Sequence, residues 1–353
     1  MSTHEDSTTN PFEQARQLSI EVSRREALAT AAKFGLGGAA FAAALAGGGD
    51  VTRALAASRD AKLSANNNFV FVNHATTNQF FVPTKNGAQD ACDLLGSKYQ
   101  WTGSATSNVS DMVRAVQNAI NGNADGIAVS LIDTQAFNAP INQALSKGIP
   151  VVSYNADAAN KRMAYIGQPL YQSGQTMGKR IAANVKPGSK IVLFIATPGS
   201  LNIQPRIDGA KAILGNKYQI DISATGVAVA GEQPAVESYY KGHQDVKGMF
   251  AVDGGSTAGV AITSKKYGLA KKGVYTGGFD LFPETIAGIN SGDMGFTLDQ
   301  QPYLQGFYPI MQLFLYKNSG GLMFPCDTNT SLKIVDKSNV TPYLGKSRFL
   351  GTA

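Results

Sequence analysis

Runs of contiguous apolar residues alternate with helical periods along most of this chain. Phe69–Asn73 (FVFVN) predicts a buried strand, and Phe80–Leu95 a helix. Ser107–Asn121 sets Val109, Met112, Val113, Val116, Ala119 and Ile120 on one helical face. Gly126–Ile132 then predicts a strand, Thr134–Lys147 a helix and Ile149–Tyr154 a strand. A second series opens with helix Leu170–Val185, strand Lys190–Ala196, helix Gln204–Leu214 and strand Asp221–Val229. It continues with helix Gln233–Lys241, strand Gly248–Val252 and helix Thr257–Tyr267, and closes with strand Gly273–Phe279, helix Pro283–Asn290 and strand Met294–Asp299. Uninterrupted apolar strands between amphipathic helices predict parallel sheets covered on both faces. Right-handed crossovers then make each series a doubly wound α/β lobe.

The first sixty residues break the pattern. Ser23-Arg24-Arg25-Glu26-Ala27-Leu28 precedes Ala29–Ala46, a run of Ala, Gly, Phe and Leu broken only by Thr30 and Lys33. With the small-residue site Ala54-Leu55-Ala56, this order predicts a signal peptide over residues 1–56. The paired arginines and weak hydrophobicity resemble a twin-arginine export signal. No cysteine follows the apolar run, so lipid attachment there is excluded, and no later stretch reaches the ~20 apolar residues of a membrane span. A soluble periplasmic protein, ordered from about Asn66, is expected. Gly35–Ala40 fits G-x-G-x-x-A, but no strand precedes it, so it is not read as a nucleotide motif.

Composition narrows the function. Of 353 residues, 16% are charged and 43% hydrophobic, which fits a folded chain and not a disordered one. The net charge of +6 is scattered, with only short Lys265-Lys266 and Lys271-Lys272 pairs, so no nucleic-acid-binding stripe is expected. Cys92 and Cys326 form no CxxC pair; they make either one disulfide closing a long loop or two free thiols. With three histidines besides, neither a metal cluster nor a cofactor is expected.

Ligands of open α/β sheets bind beyond the carboxyl ends of the strands. After the first strand stands His74-Ala75-Thr76-Thr77-Asn78-Gln79-Phe80-Phe81. Phe80 and Phe81 read either as core or as a stacking platform beside Asn78; the strand-end position favours the platform. A sugar, with a C–H face and a hydroxyl rim, needs such flat surfaces and planar hydrogen-bonders. Asn155 and Asp157 follow strand Ile149–Tyr154, Arg206 opens a helix, and Asp253, Asp280 and Gln300 follow later strands. Each alone could be a helix cap. Together they suit a neutral, many-hydroxyl ligand.

At these residues the chain resembles the ribose/galactose-type family of periplasmic sugar-binding proteins that serve ABC importers. Asn78–Phe81 with Lys85–Ala88, Asp125-Gly126-Ile127, Gly148–Val152, Arg206–Ala210 and Gly277–Asp280 carry the resemblance, which runs from about Phe69 to Val335. It implies that Phe80 and Phe81 stack on the ligand and that Asn78, Arg206, Asp280 and Gln300 bond it. Asp253 stands where ribose binders commonly have Asn, and Asn155-Ala156 where they have an Asp-Arg pair. Their aromatic after Asp221–Val229 has no counterpart in Ala230-Gly231-Glu232-Gln233. These departures point away from ribose itself but keep a sugar-like ligand. The resemblance also implies a type I periplasmic binding protein with three hinge crossings near residues 164, 300 and 325. The lobes would be 66–164 plus 301–324 and 165–300 plus 325–353. A monosaccharide or polyol would be bound by a monomer and passed to a membrane ABC permease. A binder of a sugar-like signalling molecule, or a chemoreceptor partner, is the alternative. An enzyme is disfavoured, because His74 and His243 keep no nucleophile–base spacing and no G-x-S-x-G occurs. A sugar-responsive repressor would need a DNA-binding helix pair where the export signal lies.

Overall fold

Two parallel sheets follow from the two predicted series, and the computed structural model describes them through Leu63, residues 66–226 and residues 228–352. The export signal predicted over 1–56 lies outside the described residues.

In the first sheet, β1 (Asn68–Asn73) lies centrally between β2 (Lys98–Gly103) and β3 (Gly126–Val129); β4 (Val151–Tyr154), β5 (Tyr165–Gly167) and β11 (Thr328–Asn329) continue it. All neighbours run parallel. Helices α1 (Val82–Leu95) and α9 (Leu304–Asn318) cover one face, burying Ala88, Cys92, Ile310 and Leu313 against Phe69 and Phe71. Helices α2 (Val109–Asn121) and α3 (Asn138–Ser146) cover the other with Met112, Val116 and Ile141.

The second sheet repeats the plan in the order β7 (Gln219–Ala224), β6 (Lys190–Ile195), β8 (Gly248–Ala251), β9 (Tyr275–Phe279), β10 (Phe296–Asp299), β12 (Lys333–Asp336). Its last strand alone runs antiparallel. Helices α4 (Leu170–Asn184) and α5 (Gln204–Leu214) pack on one face, and α6 (Val229–Gly242), α7 (Gly254–Tyr267) and α8 (Pro283–Ser291) on the other. The doubly wound architecture expected from the sequence is the one found.

Some details differ. Strand β2 was not foreseen, because Lys98 and Gln100 are exposed on this edge strand while Tyr99 and Trp101 turn inward onto Phe71. The strand expected at Asp221–Val229 stops at Ala224, where Gly226 takes φ +87°, and Val229 already opens α6. The first crossing follows Gly167 rather than residue 164, since Tyr165 and Ile166 still pair with β4. The third follows Asn329 rather than residue 325, since β11 pairs with β5.

The C-terminal segment also departs from its expected place in the second lobe alone. Tyr343 packs in the second lobe and its hydroxyl donates to Asp299 Oδ2 (3.1 Å). Arg348, a few residues on, grips Asp90 of α1 through Nε and Nη2 (2.9 and 2.6 Å), and the Phe349 ring meets Tyr303 edge-on at 4.8 Å. The tail thus makes a fourth crossing between lobes. Neither cysteine is bridged: Cys92 is buried on the inner face of α1, its thiol pushed up to about 12 by burial, and Cys326 is exposed.

Candidate ligand-binding cleft

Carboxyl ends of strands from both sheets meet around a cavity of about 80 Å³. One water needs roughly 10–15 Å³, so the space suits a single small ring and not a chain of them. Of the nine residues expected to contact a ligand, eight line it: Asn78, Phe80, Phe81, Asn155, Arg206, Asp253, Asp280 and Gln300.

Asp157 does not. Its carboxylate takes both Nε and Nη2 of Arg162 and the Ser153 hydroxyl (2.7 Å), so it braces the loop after β4. The expectation fails because Asn155, at φ +62°, turns the chain sharply and carries the next residues away from the cavity.

On the first lobe, Asn78 caps the turn leading into α1, its Oδ1 accepting the Phe80 N–H (2.9 Å). That cap sets the two aromatics edge to face, with centroids 4.8 Å apart and planes at 83°. They divide the two readings between them. Phe81 is 2% exposed and packs on Trp101 and His74, whereas Phe80 is half-buried and presents its ring to the cavity. His74 completes this wall. Its Nε2 accepts from Asn202 Nδ2 of the second lobe (3.3 Å), which leaves the proton on Nδ1 to donate to Ser130 Oγ (2.8 Å). Burial depresses its pKa to about 4, so the imidazole is neutral at pH 7. Leu201, next to Asn202, packs against the first lobe's core, so the lobes touch across the cleft.

The second lobe supplies charge. Arg206, 2% exposed, sits in the first turn of α5; its Nη1 donates to Val252 O (2.7 Å) and its Nη2 to Gln168 Oε1 (3.0 Å). The guanidinium lies 4.2 Å from the Phe279 ring centroid. Its buried Nε has no partner among the described residues. Burial lowers the Arg206 pKa, and the Asp280 charge opposes that. Asp280, at φ +73°, accepts from Gln300 Nε2 (2.6 Å); burial raises its pKa to about 6, against the pull of Arg206. Asp253 caps α7 through the Ser256 N–H and also accepts the Ala196 N–H, both at 2.9 Å. The cap reading therefore holds for Asp253, which lines the cavity as well.

Buried amides join this wall to the crossings. Gln305 Nε2 donates to Gln300 Oε1 (3.0 Å), Thr330 Oγ1 to Gln300 O (2.7 Å), Asn155 Nδ2 to Gln305 Oε1 (3.1 Å) and Gln168 Nε2 to Ser331 O (3.1 Å). All three crossings are thus bonded to side chains that hold Arg206 and Asp280. Such networks specify one geometry because a broken member strands a buried polar group.

Sequence reasoning missed His74, Asn202, Glu232 and Phe282 as lining residues. His74 directly follows the first strand, the signal used for its neighbours. Glu232 carried no such signal, because the helix that places it was expected to start at Gln233.

Comparison with known proteins agrees with this geometry. The family described as periplasmic binding protein domain matches residues 69–320. The chain is 49% identical over 299 residues to the xylose/arabinose-binding protein of Sulfolobus acidocaldarius, covering 80% of this chain and 74% of that one. It is 24% identical to the ribose import binding protein of Bacillus subtilis, over 65% of this chain and 74% of that one. An ABC transporter solute-binding protein from Burkholderia graminis, solved in complex with D-arabinose, superposes with a TM-score of 0.74 at 26% identity, over 80% of this chain and all of that one. A glucose-galactose binding protein from Geobacillus stearothermophilus superposes at 0.70 and 25% identity, over 78% of this chain and 99% of that one. The chain belongs to the periplasmic binding protein family, and is an exported protein.

Proposed function

We propose that this protein is the solute-binding component of an ABC importer, holding one neutral monosaccharide, of pentose size, in the cleft and closing its lobes around it. The carrying observation is the pairing of walls: a free aromatic face at Phe80 opposite a buried Arg206 whose Nε lacks a partner among the described residues. A pyranose or furanose ring lays its C–H face on the aromatic and turns its hydroxyls to the guanidinium, Asp280 and Asn78. Asn78 spends its oxygen on the cap and so has its amide N–H groups to offer. The relatives named for xylose, arabinose and ribose support the sugar class and the importer.

Charge supports a neutral ligand. At pH 7 His74 is uncharged, and Arg206 faces the carboxylates of Asp253 and Asp280, so a sugar acid or phosphate would meet repulsion that hydroxyls avoid. Closure follows from differential affinity: walls on separate lobes bind the sugar together only when the lobes are near. Micromolar affinity corresponds to roughly −8 kcal/mol, within reach of one well-bonded ring. We place Asn78, Phe80, Phe81, Asn155, Arg206, Asp253, Asp280 and Gln300 in the ligand shell, read Arg24-Arg25 as part of a twin-arginine signal that delivers the chain to the periplasm, and expect a monomer.

Mass spectrometry of the native protein, followed by calorimetry of the stripped protein against arabinose, xylose, ribose, glucose and galacturonate, tests the reading. One neutral pentose per chain is expected, with no heat from the uronate. A folded, stripped protein silent towards every neutral sugar would refute it.

A further inference from the structure

We propose that Glu232 determines specificity: with Asp253 it forms a singly protonated carboxyl pair that accepts one particular hydroxyl of the bound sugar and releases the sugar when the shared proton is lost. This rests on the sugar-binding reading above.

Geometry makes the pair. Glu232 lies in the first turn of α6, only 3% exposed, and lines the cavity. Its Oε2 accepts the Ser256 hydroxyl at 3.3 Å. A Cβ on Gly255 would lie 2.1 Å from that oxygen, so glycine there is what lets the carboxyl settle on the amino end of α7. Ser256 ties the two carboxyl groups together, its hydroxyl on Glu232 and its N–H on Asp253, whose other oxygen accepts the Ala196 N–H. Two carboxyl groups held on one residue's donors in a buried place disfavour each other's ionisation. The proton rests on Glu232, the more deeply desolvated acid. Burial first, and the Asp253 charge second, raise the Glu232 pKa to about 9.

The protonated carboxyl, with the Ser256 hydroxyl on Oε2, keeps acceptor capacity for a ligand hydroxyl. Sealing a sugar over the pair removes nearby water and makes a second negative charge dearer, so the bound form holds its proton more firmly than the empty one. Affinity must therefore fall as alkali strips the proton.

The other ionisable groups lining the cavity are His74, Arg206, Asp253 and Asp280, none of which is a lysine, tyrosine or cysteine. On α6 and α7, Glu237, Lys241, Lys266 and Tyr267 form a separate cluster around the Glu237 carboxylate. Of the lining groups, Arg206, whose pKa burial lowers, is the other one that alkali can reach, and Glu232→Gln separates the two.

Calorimetry with D-arabinose from pH 7 to about pH 10 reads the proton, in buffers of different ionisation heat. Wild-type affinity should fall about tenfold per pH unit above the Glu232 pKa, with proton uptake on binding. Glu232→Gln, which mimics the protonated acid, should hold its neutral-pH affinity across the range without that uptake; circular dichroism confirms folding at each pH. Glu232→Ala should lose about tenfold for arabinose. Among the monodeoxy-arabinoses, one analogue should bind wild type and Glu232→Ala equally. The same alkaline loss in Glu232→Gln, or equal penalties for every analogue, would overturn the proposal. Wild type that binds no sugar at pH 7 overturns the sugar reading, and this one with it.

Discussion

The two walls of the cleft are built on one architecture yet hold opposite chemistry. The first lobe offers a flat, uncharged surface: the Phe80 ring, the capping Asn78 and a His74 kept neutral by burial. The second offers Arg206, Asp253, Asp280 and Glu232, each tied to backbone or to another buried side chain. Stacking tolerates some sliding of a ring, whereas a fork of buried donors and acceptors does not. On the proposed reading the first wall recruits rings, and the second chooses among them. The crossings reinforce this split, since Gln168 and Gln300 bond directly to Arg206 and Asp280.

Breaking the second wall should have the largest effect. Arg206→Met takes the donor from Gln168 Oε1 and the facing positive charge from Asp280, and arabinose affinity should fall at least about 100-fold in calorimetry. Phe81→Ala should act on the fold instead: a ring 2% exposed costs about 3–5 kcal/mol of stability when truncated, read by denaturant unfolding. Phe80→Ala, its half-buried neighbour, should barely change unfolding yet weaken the sugar about tenfold. If the two phenylalanines behaved alike, the first wall would have no dedicated stacking face.

The pH dependence of the ligand-free protein sharpens the contrast. Glu232 and Asp280 have folded pKa values, about 9 and about 6, above their unfolded ones. Between the unfolded and folded values the native state binds more protons, so their contribution to stability falls as pH rises through that window. His74 acts in reverse, since its pKa is lowered to about 4: stability is gained as pH rises from there to its unfolded value of ~6.5. Thermal unfolding without sugar should therefore show Tm declining from about pH 7 to pH 9, and Glu232→Gln should flatten the decline. The smallest effect is expected at the tail. Removing residues 347–353 breaks the Arg348–Asp90 pair and the contact of Phe349 with Tyr303, and should change arabinose affinity only about two- to threefold.

The fold was largely legible because parallel strands buried on both faces leave apolar runs, as FVFVN does for β1. What escaped was short or at an edge. Strand β2 alternates exposed Lys98 and Gln100 with inward Tyr99 and Trp101, and β5 and β11 span three and two residues. The crossings were placed a few residues early for that reason. At the site, residues immediately following strands were readable, since the strand end fixes where they point. Asp157 misled because its partner, Arg162, is invisible until the turn at Asn155 is known. Glu232 was hidden because Gly226 ends β7 early, so that an apolar stretch read as strand begins a helix.

A crystal of the protein grown with D-arabinose examines the central claim most directly. The account predicts the sugar ring within ~4 Å of the Phe80 face, and hydroxyls ~2.7–3.2 Å from Arg206 Nε and the Asp280 carboxylate. Sugar bound on one lobe alone, or at a place remote from Phe80 and Arg206, would contradict it.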